Sequence, residues 1–176
     1  MKHFFLMLFS VILFMGCQEK KDNSANEAFA KNSETVMANI QNWQNETPDY
    51  STYSDKFVLR DTGINGKDSL SLAEMKESDK MLFKNLDFKF LTDPIVLLPG
   101  VNPQTKEPDG SVRYYGNWQV TVPATDSTEA KSAVLKYYES FDFDADGKII
   151  YQQGYGDFGG LMDALYGDDD QDSMEE

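Results

Sequence analysis

The chain has 176 residues and sets 30 acidic side chains against 16 lysines and arginines, a formal net charge of -14. Phosphates must be met by clustered cations, so this balance excludes nucleic acid as a partner. The single cysteine rules out an internal disulfide, and the single histidine, His3, sits at the extreme N-terminus, so the rest of the chain has no imidazole for a Ser-His triad or a histidine zinc site.

Residues 1–16 have the three parts of a secretory signal: a basic start at Lys2 and His3, an apolar run from Phe4 to Phe14, and a small residue, Gly16, before the cleavage point. The run falls short of the roughly twenty residues a spanning helix needs, so no transmembrane anchor is expected. Its ending, Leu13-Phe14-Met15-Gly16-Cys17, resembles a bacterial lipobox, with Phe14 where leucine is usual. That resemblance implies cleavage before Cys17 and acylation of its sulfur with membrane lipid. The competing reading is an incidental cysteine behind an ordinary cleavage site, but a lone thiol is a liability in an oxidising compartment and acylation removes it. Two or more acyl chains hold a protein stably at a bilayer, so the expected location is the bacterial cell envelope. Gln18 stands where an aspartate would retain a lipoprotein at the inner membrane, which by likeness to bacterial sorting signals is compatible with passage to the outer membrane.

Residues 17–25 are polar and aperiodic, a solvated tether. The span 26–166 is then one domain. Phe29, Val36, Met37, Ile40 and Trp43 recur at spacings of three, four and seven and predict an amphipathic helix over 26–45, ended by Thr47-Pro48-Asp49. Tyr53 to Arg60 reads as a strand and Asp61 to Gly66 as the turn after it. Ser71-Leu72-Ala73-Glu74 has the form of a capping box and starts a second helix, with Leu72, Met75 and Met81 or Leu82 facing inward. Leu86, Phe88 and Phe90 alternate with polar residues as a strand.

From Ile95 the chain reads as mostly sheet, broken at Pro99-Gly100 and by the polar connection 102–110. Residues 111–122 and 131–144 are long, aromatic and β-branched, as antiparallel strands over a core should be. Asp144-Ala145-Asp146-Gly147 turns the chain into a strand over 148–155, and residues 158–166 form a short helix. The run from Asp142 to Gly147, followed by Ile149, also matches positions one, three, five, six and eight of a calcium loop, but Gln153 occupies position twelve, where a bidentate glutamate belongs, and strands flank it where helices should. A hairpin turn accounts for these residues without a metal. Residues 167–176 are an acidic tail.

This order of helix, strand, helix and long antiparallel strands, with Asn117-Trp118 in a middle strand, Phe141 to Ile149 at the hairpin and Tyr155 to Met162 at the end, resembles the SnoaL-like branch of the nuclear transport factor 2-like superfamily. The likeness spans residues 28–166. It implies an α+β fold in which a curved antiparallel sheet forms a cone around the N-terminal helices, open at one end over an apolar cavity. It also implies uses as varied as isomerase, cyclase, dehydratase, epoxide hydrolase, plain binding, and homodimer formation through the outer sheet face, so the polar groups of the cavity must decide between them.

Asp157 falls at the end of the last strand, where enzymes of the resembled group place a carboxylate, and a carboxyl in an apolar cavity can act as general acid or base near neutral pH. Tyr155, two residues earlier, would share its face if the strand continued. Trp118, Tyr114, Tyr53 and Asp55 complete the expected lining. The alternatives are equally physical: Asp157 can cap the terminal helix, the aromatics can be core residues, and Asp55 can lie on the surface. No cofactor is expected, and two functions stay open, a pocket that binds an apolar small molecule or a protein partner, and an acid–base enzyme of isomerase, dehydratase or cyclase type.

Overall fold

The computed structural model describes residues 23–167; the expected signal segment, Cys17 and the acidic residues beyond Gly167 lie outside the described residues. Helix α1 (Ser24–Gln44) starts two residues before the expected boundary and buries Val36 and Ile40 on the stripe the spacing predicted. A 3₁₀ turn (Tyr50–Thr52), capped by Asp49, leads into β1 (Tyr53–Arg60), and β2 (Leu70–Ser71) pairs with β1. The capping box is formed: the Ser71 hydroxyl accepts from the Glu74 N–H and Glu74 accepts from the Ser71 N–H at the head of α2 (Leu72–Asn85). The inward stripe of α2 differs from expectation. Met81 faces solvent while Leu82 is half-exposed at the cavity wall, and the inward stripe of Leu72, Met75 and Phe83 also carries an acid, Asp79.

Strands β3 (Asp87–Phe90), β4 (Leu97–Val101), β5 (Pro108–Val122), β6 (Lys131–Phe143) and β7 (Ile149–Tyr155) follow, then helix α3 (Phe158–Tyr166). Pro99 and Gly100 do not break the sheet; they produce a register shift inside β4, an edge strand, where a missing N–H costs no ladder bond. The sheet runs β2-β1-β7-β6-β5-β3, with β4 pairing the other half of β5, and it is curved and unclosed. Every pair is antiparallel except β1 with β7, which is parallel. This seam departs from the expected all-antiparallel pattern: its partners lie at opposite ends of the chain and meet through the connection that the other strands and α2 supply, which a parallel pair requires.

Alternation along β5 and β6 sets the inner face. Val112, Tyr114, Trp118 and Val120 pair across with Phe141, Glu139, Leu135 and Ala133. Helix α1 crosses β5 on this face, α2 packs on β1, and α3 packs on β6. The β6–β7 connection is the expected hairpin turn: Asp144 Oδ1 accepts from the N–H of Asp146 at 3.0 Å and of Lys148 at 2.9 Å, and Gly147 takes φ +77°. Those backbone donors hold the Asp144 carboxyl below its ordinary range. Among the described residues no three His, Cys, Asp or Glu side chains are grouped to hold a metal ion.

Candidate functional site

The concave face and the three helices do not close on each other. They enclose a cavity of about 400 Å³, within the range of small-molecule sites. Most of its wall is apolar and aromatic, with Trp43 from α1, Phe88 from β3, and Trp118, Val120 and Leu135 from β5 and β6.

Glu139 lies at the cavity wall and is 8% exposed. Three side chains donate to it: the Tyr114 hydroxyl at 2.6 Å, the Gln152 amide at 2.6 Å and the Tyr137 hydroxyl at 3.4 Å. Strand register brings these groups together. Tyr114 is the cross-strand partner of Glu139, Tyr137 is two residues along on the same face, and Gln152 pairs with Phe141 on the next strand. The network continues outward, since Tyr53 donates to Gln152 Oε1 at 3.2 Å and Asn39 Nδ2 donates to the Tyr53 hydroxyl at 2.7 Å. Opposite Glu139 stands Gly154, and a Cβ there would lie 1.8 Å from the Tyr137 hydroxyl oxygen, so the glycine makes room for the phenol.

Burial pushes the Glu139 carboxyl up to about 7, against the pull of its three donors and with the charge of Asp79 adding to the rise. Burial also raises the Tyr114 and Tyr137 phenols, and the nearby Glu139 charge raises them further. A second acid, Asp79 of α2, lines the same cavity and accepts from the Tyr50 hydroxyl at 2.8 Å. Burial lifts its carboxyl to about 6, opposed by that hydrogen bond.

Of the residues expected at a site, Tyr53, Tyr114 and Trp118 line the cavity together. Asp157 and Tyr155 do not. The Asp157 carboxylate caps α3, where Oδ1 accepts from the Gly160 N–H at 2.9 Å in an exposed position. Tyr155 is the last residue of β7, and because Gly154 faces in, Tyr155 faces out; its ring packs on Tyr138, whose ring packs on Tyr115, in a row across the outer face. Asp55 is exposed on β1 and is not part of the wall. The acids that do reach the cavity were not among the expected residues. Glu139 had a signal, since Ala133, Leu135, Tyr137 and Phe141 share its alternation and leave it as a charge set among apolar neighbours within the strand. Asp79 had a weaker one, seven residues after Leu72 on the helical stripe.

No family model and no curated protein sequence matches the chain. Solved structures do match. A protein named as a polyketide cyclase from Xanthomonas campestris pv. campestris superposes with a TM-score of 0.59 at 13% identity, over 78% of this chain and 98% of that one. A protein named as a SnoaL-like polyketide cyclase from Shewanella denitrificans gives 0.54 at 13% identity, over 76% and 95%. An epoxide hydrolase of M. tuberculosis gives 0.51 at 14% identity, over 77% and 90%. Identities this low speak for architecture alone, and the architecture of this chain is the SnoaL-like form of the nuclear transport factor 2-like fold.

Proposed function

We propose that the protein is a lipid-anchored envelope protein whose cone binds an apolar small molecule bearing at least one polar group. The observation that carries this reading is the cavity itself: about 400 Å³ of largely aromatic wall with a hydrogen-bonded carboxyl, Glu139, set into it. Trp118, Tyr114 and Tyr53 form the contacts and the Glu139 network orients the ligand.

The neutral aromatic probe N-phenyl-1-naphthylamine should brighten on entering the cavity. Trp118→Ala should weaken its binding about tenfold or more by removing buried wall area, while Asp157→Asn leaves it unchanged. Thermal unfolding of each variant checks that it remains folded, and a probe that ignores Trp118 or responds to Asp157 would remove the cavity from the reading. The anchor rests on the Leu13-to-Cys17 segment. Bacterial cells fed labelled palmitate should incorporate it into the full chain and lose the label with Cys17→Ser; label that survives the substitution would place the lipid elsewhere.

A second reading, acid–base catalysis, is favoured by one observation, the Glu139 carboxyl pushed up to about 7 beside two phenols. A carboxyl balanced between its two forms at neutral pH can give or take a proton from a bound carbonyl compound or epoxide. The neighbours named as polyketide cyclases and epoxide hydrolase lend this reading support by analogy. In it Glu139 takes the acid–base role that the sequence assigned to Asp157.

A further inference from the structure

The cavity wall contains two buried carboxyls that no cation among the described residues pairs with. Among the described residues the ion pairs are Arg60–Asp68, Lys67–Glu74 and Lys80–Glu77, and each has at least one well-exposed member. Glu139 is held only by neutral donors. Asp79 is 5% exposed, and its one hydrogen bond among the described residues, from Tyr50, falls on Oδ2, leaving Oδ1 without a donor on a side chain that forms part of the cavity wall. The single basic residue of the wall, Arg60, sits at the rim and turns its guanidinium to Asp68 at 3.5 Å. Lys76 lies over the Tyr50 ring at 4.8 Å and is not part of the wall.

A buried carboxyl either finds a counter-charge or holds its proton, and among the described residues no counter-charge meets these two. The same wall holds the rings of Trp43, Tyr53 and Trp118, whose faces are themselves attractive to cations, as the Tyr50 ring with Lys76 over it illustrates. An anionic ligand would meet Asp61, Asp79 and Glu139 with one rim arginine to offset them. We propose that the natural ligand is an apolar molecule carrying a positive charge, a substituted amine or quaternary ammonium, with its cationic end against Asp79 and the aromatic rings. This rests on the small-molecule reading above and narrows its ligand class. Burial without a counter-charge lifts both carboxyls, and a bound cation supplies that counter-charge.

The test uses the full chain with Cys17→Ser, N-phenyl-1-naphthylamine as reporter, and two competitors of one shape. Phenethyltrimethylammonium carries a permanent charge, and (3,3-dimethylbutyl)benzene is its neutral carbon isostere. The cation should displace the reporter at a concentration at least tenfold lower than the isostere, and Asp79→Asn should erase most of that preference. Should Asp79→Asn fail to fold, Glu139→Gln takes its place with the same expected loss. An isostere that competes as well as the cation, a preference untouched by either substitution, or a reporter that neither competitor displaces would overturn the cationic ligand and leave the small-molecule reading standing. A reporter that does not bind at all would overturn both.

Discussion

Glu139→Gln should be more stable relative to the parent protein at pH 8 than at pH 4, by on the order of 3 kcal/mol, from one shifted carboxyl. The folded protein holds the Glu139 proton up to about pH 7, whereas the unfolded chain releases it near the ordinary value of 4.5. Between those two values the folded state binds more protons, so stability is fully present below about 4.5 and is lost as pH rises toward 7. The substituted amide does not titrate, and it keeps an acceptor for Tyr114. Asp79, lifted to about 6, adds a slope of its own to both proteins, so the difference between the two series of urea unfolding curves across this range reports Glu139 together with its coupling to Asp79. Curves that stay parallel would mean that Glu139 titrates in the folded state as it does in the unfolded chain. The same substitution separates the two functional readings: on any carbonyl or epoxide compound the protein turns over, kcat should fall about a hundredfold or more with binding preserved, and unchanged turnover removes Glu139 from the chemistry.

Gly154→Ala is expected to damage the cavity more than the fold. The new methyl would stand 1.8 Å from the Tyr137 oxygen and 2.4 Å from its Cζ, so the ring must leave its place, give up its contact with Glu139 and enter the cavity. Affinity for N-phenyl-1-naphthylamine should fall tenfold or more, while stability falls by about 1–3 kcal/mol, the usual cost of overpacking. Adding Tyr137→Leu removes the colliding phenol, so the double variant should recover part of that loss instead of summing two penalties. A double-mutant cycle in urea that comes out additive would show that the two positions do not meet.

Local patterning made much of the architecture readable. The α1 stripe, the Ser71–Glu74 box and the alternation of residues 111–122 each depend on neighbours within a few positions, and each appears where those neighbours require. The parallel seam between β1 and β7 was not readable, because choice of strand partner depends on the whole path of the chain. The acids illustrate the same limit at the level of side chains. The place of Asp157 after the last strand suggests a cavity carboxylate, yet the alternation that puts Gly154 inside ends one residue later, and the aspartate is left to cap α3. Glu139 could have been picked from its apolar companions, since a charge inside an alternating face must find donors. Asp79 was hidden by the rule that finds helices: an acid on a stripe counts against that face, while in the fold it faces Tyr50 across the cavity wall.

The placement of α1 bears on which way the protein looks. Its early turns sit at one pole of the cone, where Asn32 Nδ2 donates to Gly110 O at 2.9 Å beside the Gly147 turn. The helix reaches the cavity wall only further along, at Asn39, Ile40 and Trp43, and the same wall takes in Thr62 and Phe158, where the Thr62 hydroxyl donates to Gly154 O. Cys17 precedes Ser24 by a stretch that can span at most roughly 25 Å. If Cys17 is acylated as proposed, the lipid is tied to the chain ahead of α1, so the anchor would enter the domain at the end of that helix that does not line the cavity.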